Sequence, residues 1–221
     1  MRPLTSSAIP IDFFRIATAG DEVIGATGTA FIYERNGLYL ITAWHNVTGC
    51  DYTTNQPLHT RGFVPDRARF GVWKRHGRDV AARQWISINL QPKECVWLQH
   101  KRLLDGIDIA AIPIDIKVEA DWLTKPINQL DFESRLDPEP GLEAFVIGFP
   151  ENISGPSRTA IWKRASVASE AGFRMNEAGK FYVDTATRRG MSGSPVIIQH
   201  SGFFDPNSRG GAVSPDATFG T

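Results

Sequence analysis

The chain has 221 residues, enough for one large domain or two small ones at about 150 residues each. Apolar residues make up 42% and charged residues 22%, which excludes a disordered chain. Lys and Arg number 24 and Asp and Glu also 24, so the net charge is zero, and a dominant nucleic-acid partner is not expected. No apolar run nears the roughly 18 residues that a membrane span needs. Met1 to Pro10 holds no apolar block of a secretory signal, so no membrane partner and a cytoplasmic location are expected.

Strand signals then follow one another along the chain. Gly28 to Tyr33 and Leu38 to Ala43 flank Asn36-Gly37 and predict a hairpin. Arg69 to Trp73, Gln84 to Leu90 and Cys95 to Gln99 alternate between polar breaks. The locally basic run from Arg61 to Arg83 is expected as a solvated insertion loop rather than a nucleic-acid site, given the neutral total. Ile107 to Ile114 (IDIAAIPI) predicts a buried strand whose pairing ends at Pro113. Asp121 to Leu130 carries the best helical pattern, a weak one. Ala144 to Phe149, Ile161 to Ser169, Phe181 to Asp184 and Pro195 to Gln199 complete the set.

Many short strands between Gly, Pro, Asn and Asp clusters predict an all-β fold of sandwich or barrel type. The acidic stretch with three prolines between about Ile116 and Pro140 reads as a connector between two β subdomains. Residues 1–19 are expected as an N-terminal extension, 20–116 as a first barrel, 117–140 as the connector and 141–221 as a second barrel. Ser201 to Thr221 has little strand character, so it is expected as a loop-like tail and the second barrel as lacking its last strand. Cys50 and Cys95 lack metal-ligand spacing; they read as two reduced core residues, with one bridge between them as the alternative. No metal and no organic cofactor is expected.

Three segments carry chemistry. In LITAWHNV, His45 follows an apolar strand where a polar turn begins, a position for a general base or for a structural cap. In GIDIAAIPI, Asp108 opens an apolar strand and needs a partner, because burying it unpaired costs several kcal/mol. A histidine Nδ1–H is a suitable partner, and Asp105 is a more solvated competitor for that role. In RGMSGSPVII, Ser192 lies in a tight turn, where Gly190 lets successive N–H groups point one way and Gly193 lets the chain pass closely behind. The order His45, Asp108, Ser192 differs from the Ser-Asp-His order of α/β-hydrolases, and Ser194 breaks their G-x-S-x-G elbow.

The segments TAWH, DIAAIPI and GMSGSPV resemble the three catalytic blocks of chymotrypsin-fold serine proteases. They look most like bacterial members of the Deg/HtrA and glutamyl-endopeptidase types. GATGTAFIY resembles the first hairpin strand of those domains and GLEAFVIGFP the opening strand of their second barrel, so the likeness spans residues 20 to 198. The resemblance implies two packed antiparallel β-barrels with a cleft site, and a serine endopeptidase acting on protein or peptide through an acyl-enzyme. Ser192 would be the nucleophile, His45 the base and acid, and Asp108 the group that orients His45. The N–H groups of Gly190 and Ser192 would form the oxyanion hole. Ala186, six residues before Ser192, and Thr187 would lie at the specificity pocket. Arg188 and Arg189 read either as a regulatory loop at the oxyanion turn or as solvated arginines.

Two other functions compete. One is a protease-fold regulatory or binding module, inactive until a further domain or partner protein completes it. The other is an esterase or acyl transferase using the same three residues.

Overall fold

A computed structural model describes residues 2–16, 22–59, 62–77, 80–90, 97–100, 106–131, 138–155, 159–170, 180–200 and 218–220. The chain divides into two compact units. The first comprises Met1–Leu130, Gly148–Ile161 and Thr187–Pro195, and the second Asp131–Ile147, Trp162–Ala186 and Val196–Thr221.

The first unit opens with a short helix, α1 (Pro3–Ser7), and then β1 (Ile9–Ile16). β2 (Glu22–Glu34), β3 (Leu38–Thr42), β4 (Arg67–His76), β5 (Val80–Asn89), β6 (Leu98–Gln99) and β7 (Ala110–Ile114) follow. They form one antiparallel sheet in the order β5-β4-β1-β2-β3-β7-β6. Period-two patterning explains the core: Ile9, Ile11 and Phe13 on β1, Ile32 on β2, and Ala110 and Ile112 on β7 are all fully buried. A register shift between Phe13 and Phe14 lets the adjacent Phe14 turn inward as well. The Asn36-Gly37 hairpin forms as the sequence predicts, with both residues at positive φ and Arg35 N–H donating to the Gly37 carbonyl.

Several expectations are corrected here. The N-terminal extension expected over 1–19 is corrected by its described residues: β1, Ile9–Ile16, sits between β2 and β4 inside the sheet. The basic run is not a loop, because most of it forms the β4–β5 hairpin. In that hairpin Arg69 pairs with Asp12 at 3.0 Å, and the Arg83 guanidinium stacks 4.5 Å over Trp73. The strand expected over 107–114 starts only at Ala110, and its pairing runs through Pro113 to Ile114. Among the described residues β6 flanks Ala110 and Ala111 on the other side, and Pro113 pairs with Tyr39 of β3. The helix expected over 121–130 is a single 3₁₀ turn, Ile127–Gln129.

Of the expected connector, residues 117–130 group with the first unit, and the described residues 131 and 138–140 with the second. Trp122 is buried in the core of the first unit, and the Thr124 hydroxyl accepts from Trp73 N–H and donates to the Ser6 carbonyl. Lys74 ties down the same stretch with a 2.8 Å bond to Glu119, which raises the lysine pKa. Cys50 is half-buried against this core, and Cys95 and Asp105 lie outside the described residues.

The second unit is a smaller antiparallel sheet. β8 (Glu143–Gly148), β9 (Ile161–Val167), β10 (Val183–Asp184), β11 (Val196–His200) and β12 (Thr218–Gly220) pair in the order β10-β9-β8-β11-β12. Ala144, Ile147, Val167 and Ile197 fill its interior, and Phe145 packs on Trp162. In the tail expected as loop, the described residues Thr218–Gly220 form a strand that pairs along β11, with Ile198 opposite Gly220. The segment Thr187–Pro195, which bears Ser192, groups with the first unit. Among the described residues no helix is long and apolar enough to cross a membrane.

Candidate active site

β3 stops at Thr42, and the chain turns at Ala43 into a five-residue helix, α2 (Trp44–Thr48). Trp44 and Val47 are buried, so the apolar side of this turn anchors it to the core. Gly49 takes the left-handed conformation at φ 70° and donates its N–H to the His45 carbonyl, closing the helix. His45 is thereby fixed at the rim of a buried strand.

Asp108 lies in the irregular stretch just before β7. Its Oδ2 accepts from His45 Nδ1 at 2.5 Å and its Oδ1 from the His45 backbone N–H at 2.9 Å. The carboxylate thus holds ring and backbone of one residue at once. Donation from Nδ1 leaves Nε2 as the acceptor. Nε2 lies 3.0 Å from Ser192 Oγ. The His45 and Asp108 side chains are 25% and 20% exposed, enough for substrate access with much of the water removed.

The Ser192 turn is shaped by two glycines. Gly190 has φ 88°, and a Cβ there would stand 2.3 Å from the Phe149 carbonyl oxygen. Gly193 has φ 84°, and a Cβ there would stand 2.2 Å from the Thr29 carbonyl oxygen. Both positions need glycine for conformation and for space.

Behind the turn lies a hydrogen-bond network that sequence reasoning missed. Thr29 N–H and Asn46 Nδ2 both donate to the Ser192 carbonyl, at 2.9 and 3.2 Å. Asn46 Nδ2 also reaches Thr42 Oγ1, which donates to the Thr29 carbonyl at 2.9 Å. Thr29 Oγ1 donates to the Gly190 carbonyl at 2.8 Å and accepts from Phe149 N–H at 3.1 Å. The Arg189 carbonyl accepts from Glu151 N–H at 2.5 Å. These residues gave little signal, since Thr in a strand and Asn in a turn are ordinary.

The structure therefore brings His45, Asp108, Ser192 and Gly190 together within the first unit. The remaining expected site residues stand differently. Arg188 and Arg189 are exposed in the Ser192 turn, and Arg188 Nη1 lies 3.6 Å from Glu151 Oε1. Ala186 is exposed in the second unit, where its carbonyl accepts from Lys163 Nζ, and Thr187 opens the segment of the first.

Two antiparallel sheets in a nearly all-β chain, with a His-Asp pair at the end of a strand in the first, define a chymotrypsin-like double β fold. A family model of the trypsin-like peptidase domain matches residues 28–203, well over half of the chain, and the chain belongs to that family. It is a hydrolase of the protease type, with protein as its substrate class. A search of curated proteins returned no match.

Proposed function

We propose that this protein is a serine endopeptidase in which Ser192 is the nucleophile, His45 the general base and acid, and Asp108 the orienting carboxylate. The observation that carries the reading is the continuous chain Asp108 Oδ2–His45 Nδ1–His45 Nε2–Ser192 Oγ at 2.5 and 3.0 Å.

The chemistry follows from that chain. Nε2 takes the Ser192 hydroxyl proton as Oγ bonds to the substrate carbonyl carbon. The carbonyl π electrons move to oxygen, and the N–H groups of Gly190 and Ser192 receive the oxyanion. Asp108 stabilises the imidazolium formed on His45. The intermediate collapses, the C–N bond breaks, and His45 returns its proton to the leaving amine. Water, deprotonated by the same nitrogen, then hydrolyses the acyl-enzyme. A base of this kind contributes about 10²–10⁴ in rate and one oxyanion donor about 10²–10³.

The test compares hydrolysis of an unfolded protein by the parent and by Ser192→Ala. Cleavage by the parent and none by the variant is expected. Cleavage that survives in pure Ser192→Ala contradicts the reading.

A further inference from the structure

Resting on that reading, we infer that Glu151 is a positioning residue for the oxyanion turn, holding the Arg189–Gly190 peptide with its N–H turned toward the substrate. Three observations converge on it. Glu151 is a non-glycine residue at φ 49°, ψ 33°, a left-handed conformation that glutamate adopts only when its surroundings impose it. Its N–H donates to the Arg189 carbonyl at 2.5 Å. Its carboxylate lies 3.6 Å from Arg188 Nη1, on the same turn.

The consequence follows from peptide geometry. In a trans peptide the C=O and the following N–H point in opposite directions. Drawing the Arg189 carbonyl onto Glu151 therefore aims the Gly190 N–H the other way. Were that peptide to turn over, a carbonyl would stand where the oxyanion needs a donor.

The neighbouring residues fix Glu151 in turn. Pro150 sets the direction of the Pro150–Glu151 peptide through its locked φ, and Ile153 N–H closes the turn onto the Pro150 carbonyl at 2.6 Å. Phe149 presses its carbonyl against Gly190, where only a hydrogen fits, and the Arg83 guanidinium lies 5.3 Å over its ring. The segment 149–151 thus clamps the oxyanion turn, and Thr29 ties the two together through its bonds to the Gly190 carbonyl and the Phe149 N–H.

The test uses Glu151→Gly, Glu151→Ala and Glu151→Val, each checked for folding by circular dichroism, beside the parent and Ser192→Ala. Glycine keeps the N–H and suits the positive φ, so only the exposed ion pair is lost and kcat stays within about fivefold of the parent. Valine opposes the left-handed conformation. It is expected to lower kcat at least about tenfold, toward the ~10²–10³ of a lost oxyanion donor, with KM little changed. Affinity for a peptide boronic acid, whose adduct places an oxygen in the same hole, falls in parallel. Should the valine variant not fold, Glu151→Thr, likewise β-branched and opposed to the left-handed conformation, carries the same test. Folded valine and alanine variants that match the glycine variant in kcat and boronic-acid affinity overturn the inference. A parent with no Ser192-dependent hydrolysis overturns the underlying reading instead.

Discussion

Asn46 donates to the backbone carbonyl of Ser192 at 3.2 Å across 146 residues of sequence. The residue that follows the candidate base thus grips the backbone of the candidate nucleophile. Asn46 is 5% exposed, and a Cβ on Gly28 would stand 2.6 Å from its Nδ2, so its amide is fixed in place. His45 and Ser192 are registered to each other through this amide as well as through their own hydrogen bond. Asn46→Ala should cost roughly 1 kcal/mol of stability, because the part-buried Ser192 carbonyl keeps only the Thr29 N–H. It should also lower kcat more than it raises KM. Denaturant unfolding and steady-state kinetics on the same preparation check both.

Thr29 ties the Ser192 turn to Phe149 with one hydroxyl, donating to the Gly190 carbonyl and accepting from the Phe149 N–H. Thr29→Val keeps the shape and strands two buried backbone groups, the Gly190 carbonyl and the Phe149 N–H. Each should cost roughly 1–3 kcal/mol. Thr29→Ser keeps the hydroxyl and should recover most of the loss, leaving about 1 kcal/mol for the missing methyl. Chemical denaturation of the pair separates the hydroxyl from the methyl.

The local chemistry of the three candidate residues was legible in the sequence because it demands particular residue types. A histidine after an apolar strand, a carboxylate beside an apolar strand and a serine between positive-φ glycines have few cheaper explanations in combination. What supports them was not legible. Thr29, Thr42 and Asn46 are polar residues of the kind that strands and turns carry anyway. A glutamate in the left-handed conformation, as at position 151, leaves no mark on composition or periodicity. β1 escaped although Ile9, Ile11 and Phe13 alternate, because Pro10 lowers the strand signal. The structure accommodates it, since β4 pairs with β1 only from Ile11 to Phe14. The basic hairpin read as a loop for a similar reason: charge on a strand is not loop character when its carbon stems and planar groups cover aromatic rings, as Arg83 does over Trp73.

Ser194 contributes a testable cost. Its Oγ is buried with no hydrogen-bond partner among the described residues, and it occupies space that Gly148 leaves by lacking a Cβ. Ser194→Ala should be neutral or stabilising by about 1 kcal/mol, since an unpaired buried hydroxyl is removed. Thermal unfolding of the variant checks the sign. Gly148→Ala should destabilise, because its Cβ would overlap both Ser194 Oγ and Thr29 Oγ1.

Asp51 makes stability depend on acid. The Thr53 hydroxyl, then the N–H groups of Thr54 and Thr53, hold its carboxyl at about 2, below the ordinary 3.8. A folded-state value below the unfolded one means the carboxylate stabilises the fold above pH ~4. That contribution fades as pH falls from about 4 through 2. Asp51→Ala should lower the melting temperature at pH 6 and narrow its difference from the parent as pH approaches 2. A difference that stays constant across that range contradicts the assignment.

Labelling with a fluorophosphonate, read by mass spectrometry on the parent, His45→Ala and Ser192→Ala, tests the central claim most directly. The probe reacts with a serine whose proton has an acceptor and whose developing oxyanion has donors. The account predicts label on the Ser192 peptide of the parent, strongly reduced label in His45→Ala and none in Ser192→Ala. No label on the folded parent, or label that persists in Ser192→Ala, contradicts it.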